Sequence, residues 1–327
     1  MNSFGQLFRI SIFGTSHGQE IGILVDGCPV GIKLSENDFL EDINRRKNLA
    51  TYNTPRSETD KITISSGLYR GYTDGSPLLL TFKNDNYNDS EYDFIKEGFF
   101  RPGHADFTAS KKYKSFNNPN GGGMFSGRMT LALVAAAVVA KKIIKDISIV
   151  SSIADFWVFA DSERKIYNTI DEAKLLAEKL KTSIGGKVFI KINNIPIGLG
   201  EPFFDSVESK LSHAIFSIPG AHSIEFDIPK DINSNSIINE EGQLKTASFG
   251  INGGITNGNP INFSVGFKAA ASISAKQECY NFNTKKIESF TLNGRHDLCY
   301  VNRAAVVVEA MSAIVLSDLL LIHNSQK

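Results

Sequence analysis

Two stretches of this chain are so poor in charge that they dictate its core. Met129–Ala140 contains no charged residue and runs directly into Lys141 and Lys142. Ala304–Ile322 is interrupted by ionisable groups only at Glu309 and Asp318. A helix that is apolar all round has to be enclosed, either by protein or by lipid. The first stretch is too short to cross a bilayer. The second is long enough, but two carboxylic acids inside a membrane would be costly. Both are therefore expected as helices buried in a protein core.

The segments around them read as a mixture of strands and helices. "LFRISIFG" and "IGILVDGCPVGIKL" look like strands joined by the glycine-bounded turn "GTSHG", Gly14–Gly18. "SENDFLEDINRRK" has helical spacing, with Ser35 placed to cap and Asp38 three residues on. "KITISSGLYRGYTDGSPLLLTF" reads as strand, turn at Asp74-Gly75, strand. Residues 84–125 lack periodicity and read as a long loop, either functional or disordered. A helix is expected from Ser126 to Lys145, a strand over 146–160, and a surface helix in "IDEAKLLAEKLKT". Then follow a strand in "GGKVFIKINNIPIG", a helix in "EPFFDSVESKLSHAIFSIPG", a strand in "NPINFSVGFKAAASIS" and a long helix from Arg303. Strands and helices do not alternate regularly, so a doubly wound parallel sheet is disfavoured. The class implied is α+β, antiparallel sheets with helices packed on them, in one domain over residues 1–327.

Composition excludes several functions. The formal net charge is zero, which argues against whole-surface binding to nucleic acid or acidic membrane. Three cysteines, Cys28, Cys279 and Cys299, are odd in number and widely spaced, so neither a disulfide framework nor a cysteine zinc site is expected. A reducing, cytoplasmic setting fits them. The N-terminus lacks the apolar run and small-residue cleavage site of a signal peptide.

Six short segments could carry chemistry. "GTSHG" matches the G-x-S-x-G of serine hydrolases, but that elbow needs several strands before it, and only enough chain for one precedes Gly14. His17 is also a poor partner for Ser16, because neighbours in a strand point to opposite faces. "RPGHADFTASKKY" places His104 among Arg101, Asp106, Lys111 and Lys112, where an imidazole can act as acid or base or be a loop histidine bonded to backbone. "NGGGMFSGRMT" is a bare-backbone run before a helix, suited to an anion with help from Ser126 and Arg128, or a flexible turn. Arg45, Arg46 and Arg56 form an early cationic cluster, and guanidinium forks match carboxylates and phosphates. "INGGITNGNPI" is a second bare loop, and "GRHDLCYVNRA" leads Arg295, His296, Asp297, Cys299 and Arg303 into a buried helix, which suits a pocket lining. Adjacent His296 and Asp297 rarely ligate one ion together, so no metal is expected. The inventory suits a substrate with several negative charges and a flat or phosphorylated cofactor.

Taken in order, "FGTSHG", "TPRSETDKITISSG", "RPGHADFTASKKY", "GGGMFSGRMT", "GLGEPFFD", "NGGITNGNPI" and "GRHDLCYVNRA" resemble the chorismate synthase family over essentially the whole chain. That resemblance implies a sandwich of helices between antiparallel sheets and a homotetramer. It implies the 1,4 anti elimination of phosphate from 5-enolpyruvylshikimate 3-phosphate to give chorismate, with reduced FMN required although no net redox change occurs. NADPH would serve as indirect reductant, through the protein itself or through a separate flavin reductase. By resemblance His17, His104 and Asp297 are catalytic. Ser16, Arg45, Arg46, Arg128 and Arg295 hold a substrate with two carboxylates and a phosphate. Ser126, Gly220, Gly253, Lys268, Ser272 and Arg295 contact FMN. The chain departs from the family pattern at Met124 and Phe125, where an arginine and a serine are usual, at Ala270, and at Leu298. It also has Thr51 in place of a frequent arginine and a short stretch after "SIEFDIP". An FMN-binding homologue that has lost the elimination is the alternative implied by those departures.

Overall fold

The computed structural model describes residues 2–47, 59–84, 93–227, 237–238, 244–245, 249–292 and 296–326. Thr51, Arg56, most of the stretch after "SIEFD" (residues 228–236, 239–243 and 246–248) and residues 293–295 lie outside the described residues.

The two apolar stretches are helices, and they lie against each other at the centre. Among the described residues the α-helices are α1 (Leu40–Lys47), α2 (Asp106–Lys112), α3 (Thr130–Ile143), α4 (Ile170–Leu180), α5 (Val207–Ile215) and α6 (Val301–Ser325). Every residue from Thr130 to Ala140 in α3 and from Val306 to Leu319 in α6 is buried. The alanines of α3 allow close approach, and the Ser317 hydroxyl of α6 sits 3.0 Å from the Ala140 carbonyl. Such helices need cover on both outer sides, and two antiparallel sheets supply it.

The first sheet comprises β1 (Ser3–Phe4), β2 (Arg9–Gly14), β3 (Glu20–Asp26), β4 (Ile62–Ser66) and β5 (Leu78–Lys83) in the order β1-β2-β3-β5-β4. Its inner face follows the period of two: Ile21, Ile23 and Val25 register with Phe82, Leu80 and Leu78, and all six are fully buried. This face packs on α3. The second sheet comprises β6 (Ser148–Ala160), β7 (Glu163–Tyr167), β8 (Gly185–Asn193), β9 (Ala221–Phe226) and β10 (Ile261–Phe267) in the order β9-β10-β8-β6-β7. Val188, Ile190 and Ile192 register with Val265, Phe263 and Ile261, and α6 packs on β6 and β8. The architecture is the expected α+β sandwich, sheet on helices on sheet, with one main core running through all three layers.

The two acids of α6 are both satisfied. Glu309, 3% exposed, accepts from the Arg45 guanidinium at 2.7 and 2.8 Å and from the Ser151 N–H and hydroxyl at 3.1 and 2.5 Å. Asp318, 2% exposed, accepts the backbone N–H groups of Gln6, Leu7 and Phe8. Glu309 thus fastens α1 and β6 to the central helix, and Asp318 fastens the chain between β1 and β2. An unpaired carboxylate at either depth would cost several kcal/mol.

The sequence reading needs four adjustments. Residues 84–125 are not one loop, because α2 forms at Asp106 and the chain then makes a tight glycine turn at Gly121–Gly123. The helix expected from Glu201 starts only at Val207, capped by Ser206, whose hydroxyl accepts the Ser209 N–H at 3.1 Å, and Phe203 and Phe204 before it are exposed. A small hairpin, Leu68–Tyr69 with Tyr72–Thr73, separates β4 from β5. The strand drawn through "KAAAS" ends at Phe267, before the lysine. A satellite core also forms, where Phe94 and Phe99 pack with Phe290 and Cys279 of the hairpin Gln277–Asn281 with Lys286–Phe290. It anchors the chain just before Arg101.

Candidate active site

The turn Gly14–Gly18 connects β2 to β3, with Gly14 at φ +94°, where a side chain would strike the Glu20 carbonyl. It holds Ser16 and His17, both buried, with the Ser16 hydroxyl 3.2 Å from His17 Nδ1. The glycine run Gly121–Gly123 lies directly against them. All three glycines have positive φ, and the Ser16 N–H donates to the Gly123 carbonyl at 3.1 Å. A Cβ on Gly121 would fall 1.8 Å from His17 Nδ1, and one on Gly122 would fall 3.2 Å from His104 Nε2. Bare backbone therefore separates two histidines that are far apart in sequence.

Behind the first histidine, polar groups link the turn to the arginines. The Asn84 amide donates to the Thr15 and Gly18 carbonyls at 3.2 and 2.8 Å and accepts from Arg128 Nε at 2.8 Å. Arg128 Nη1 donates to buried Asp60 at 3.0 Å. Arg46 donates to the Thr130 hydroxyl at 3.0 Å and to the Gly127 carbonyl at 3.1 Å, so it is held at the start of α3. Burial pushes the Arg46 guanidinium down to about 10 and nearby Arg303 adds to this, against the pull of Asp60 and Asp297. It stays charged at neutral pH, with its hydrogen bonds going to neutral oxygens. Burial pushes the Asp60 carboxyl up, although Arg46 and Lys47 oppose the shift.

Around the second histidine the charges are matched. Asp106 accepts from Arg101 Nε at 2.7 Å and Nη2 at 2.8 Å, and lies 2.5 Å from His104 Nδ1. Burial alone would raise the Asp106 carboxyl, but hydrogen bonds from Arg101 and His104 hold it well below the usual carboxylate range. The segment after β10 closes this side. Ser272 accepts from Arg101 at 3.2 Å, and Lys268 Nζ donates to the Gly103 carbonyl at 2.5 Å. Gly220 donates no side chain, which leaves room for the Tyr300 hydroxyl, and that hydroxyl donates to the Lys268 carbonyl at 2.6 Å. Burial pushes the Tyr300 phenol up, so it remains a donor.

The structure thus gathers Ser16, His17, Arg46 and Arg128 on one side of the glycine run, and His104, Gly220, Lys268 and Ser272 on the other. Asp297 pairs with Arg303 at the start of α6, and both are felt by Arg46. Ser126 caps the turn into α3, accepting the Arg128 N–H at 3.3 Å. Two residues are placed differently from the sequence reading. Arg45 is not aimed at a ligand, because Glu309 and Asp42 occupy its guanidinium. Gly253, at φ +59°, sits in the hairpin Ile251–Asn252 with Ile255–Thr256, whose Gly254 packs on Glu201 and Ser206 at the start of α5. Asp60, Asn84, Arg101 and Tyr300 were not singled out as site residues from sequence. Asn84 carries no local signal, whereas Asp60, Arg101 and Tyr300 lie inside the matched motifs.

Comparison with known proteins accounts for this arrangement. Residues 8–321 match the sequence profile of the family described as chorismate synthase. The chain belongs to the chorismate synthase family. It is 44% identical over 333 residues to the chorismate synthase of Chitinophaga pinensis, covering 99% of this chain and 98% of the relative. It is 36% identical over 352 residues to that of Dehalococcoides mccartyi, covering 98% and 96%. A crystal structure of chorismate synthase superposes with a TM-score of 0.70 at 23% identity, covering 98% of this chain and 93% of the other, and so shares the fold. The family departures are local in chorismate synthase terms. Met124 is partly exposed, Phe125 packs near the Tyr113 ring, and the Ala270 carbonyl accepts from Ser183 at 2.7 Å. None of them displaces the glycine backbone from between His17 and His104.

Proposed function

We propose that this member of the family carries out the elimination itself, converting 5-enolpyruvylshikimate 3-phosphate to chorismate with bound reduced FMN. The observation that carries the reading is the glycine run held between Ser16–His17 and His104, with Arg46 and Arg128 beside it. The reaction breaks one C–O bond to phosphate and one ring C–H bond and forms a carbon–carbon double bond, so no electrons are gained or lost overall. Three anionic groups on the substrate call for cations in a confined site, and charge-assisted bonds from guanidinium suit them. Arg46 and Arg128 take that role, with Arg295 completing it by family resemblance. His17 faces the departing phosphate, where a hydrogen bond stabilises developing negative charge. His104 and Asp297 are the proton-handling groups.

The residues on the His104 side fit a flat, phosphate-bearing cofactor. Gly122 and Gly220 leave bare backbone, Lys268 offers an exposed cation, and Ser126 and Ser272 offer hydroxyls. When bound, reduced FMN supplies electron density to the substrate that the protein's own side chains cannot. Homotetramer assembly, a cytoplasmic location and reduction of FMN through NADPH or a separate reductase complete the proposal. The test is anaerobic incubation of the protein with reduced FMN and the enolpyruvyl substrate, with and without NADPH. Phosphate release in step with chorismate absorbance is expected. Tight FMN binding without either product would replace this reading with a binding homologue.

A further inference from the structure

We propose that Arg101 and Asp106 are positioning residues that lock His104 in one tautomer, with its hydrogen on Nδ1 and its Nε2 lone pair turned toward the glycine run. This deepens the proposed function, because it says which ring atom handles the proton there.

The geometry leaves little freedom. Asp106 is 7% exposed and Arg101 8%, so neither can exchange its partner for water. Both Asp106 oxygens are engaged: Oδ2 accepts the Arg101 N–H and Nε, and Oδ1 accepts Nη2. An ionised carboxylate only accepts, so the hydrogen in its 2.5 Å contact with His104 must reside on Nδ1. In the neutral ring the second nitrogen then carries the lone pair. It lies on the edge nearest Gly122, where a Cβ would come within 3.2 Å. Arg101 Nη2 also lies 3.0 Å from Nδ1 and 3.3 Å from Nε2, but a guanidinium only donates, so the hydrogen between His104 and Asp106 still belongs to Nδ1. Lys268 is spent on the Gly103 carbonyl, and Arg101 also reaches Ser272.

The arrangement resembles the aspartate–histidine pairing of hydrolytic triads in its effect on tautomer, though not in charge. Here the guanidinium matches the carboxylate, so Asp106 acts as a fixed acceptor rather than a free negative charge. Nε2 takes a proton from the ligand side and returns it there, while Nδ1–H stays in place through the cycle. An unconstrained histidine favours the opposite tautomer, so the lock has a measurable signature.

The experiment is a long-range proton–nitrogen correlation spectrum of the full-length protein labelled with ¹⁵N-histidine. The His104 signals are identified by their loss in His104→Gln. The native protein is expected to show the Nδ1–H pattern without any ligand. Asp106→Asn is expected to shift His104 toward the Nε2–H form and to lower kcat by about 100-fold, with little change in KM for substrate. A native spectrum showing the Nε2–H form overturns the proposal, as does an Asp106→Asn variant with unchanged tautomer and kcat. If Asp106→Asn fails to fold, the native spectrum decides alone. An Nδ1–H spectrum from a protein that forms no chorismate would leave the lock standing and remove the proposed function instead.

Discussion

The two sides of the glycine run Gly121–Gly123 are built on opposite electrostatic plans. Among the described residues on the His17 side, Arg46, Lys47 and Arg128 lie around Asp60, and Arg46 also feels the paired Asp297 and Arg303. On the His104 side, one guanidinium meets one carboxylate, Arg101 with Asp106. Excess positive charge stands where anions are to be held, and matched charge stands where an imidazole must keep one orientation. A buried guanidinium whose hydrogen bonds go to neutral oxygens, as those of Arg46 do, is costly in the free protein and is relieved by an anion, whereas a matched buried pair is already relieved. The first side therefore gains affinity from the substrate, and the second supplies geometry before any ligand arrives.

That contrast can be broken from either side. His104→Ala should have the largest effect, lowering turnover by about 100- to 10,000-fold, with substrate affinity nearly intact. Steady-state kcat and KM separate the two; an equal loss in affinity would merge the sides into one anion site. Gly121→Ala comes next. Its methyl group would occupy the space of the His17 ring at a φ of +61°, so the ring must move. A displacement of about 1 Å costs about 100-fold in rate, with unfolding midpoints as the control for the fold. Arg46→Ala should raise KM by about 10- to 100-fold, the scale of a lost charge-assisted hydrogen bond. Its neighbour supplies the internal control: Arg45→Ala should leave KM unchanged and lower stability by about 1–3 kcal/mol, because Glu309 is then left buried with fewer donors. Weakened substrate binding in Arg45→Ala would restore it to the pocket.

The smallest effect is in acid. Asp106 is held below its unfolded value, so the native state favours the carboxylate. Its contribution is fully present above about pH 4 and is lost as pH falls through the lower native value. Urea midpoints measured downward from pH 5 should fall less steeply in Asp106→Asn than in the native protein. Parallel curves would show that the Arg101–Asp106 pair adds no pH-dependent stability.

Much of this was legible from residue order. The apolar runs gave the two central helices, because a helix without a polar face can only be enclosed. The alternation in "IGILV" and "LLLTF" gave the first sheet, and the motifs around Ser16, His104 and Gly121 marked the segments that meet. Arg45 and Arg46 show where that reading stops. They are adjacent, chemically identical and carried by the same helix, yet one binds Glu309 and the other faces the site. Successive residues on a helix point about 100° apart, and only the position of α6 decides which direction meets an acid. Asn84 is the same case in reverse: nothing local distinguishes it, and its importance comes from lying between the Gly14–Gly18 turn and Arg128.

By itself the sequence determined what had to be buried, which turns needed glycine and which residue types were available for an anionic substrate. Those are properties of single segments, set by hydrophobic period and backbone freedom. The tertiary structure alone decided which charges are matched and which are left in excess, because pairing depends on distances between segments far apart in the chain. Asp106 locks His104 and Glu309 removes Arg45 from the site for one physical reason: a buried charge binds whichever opposite charge the packing of the layers brings within reach.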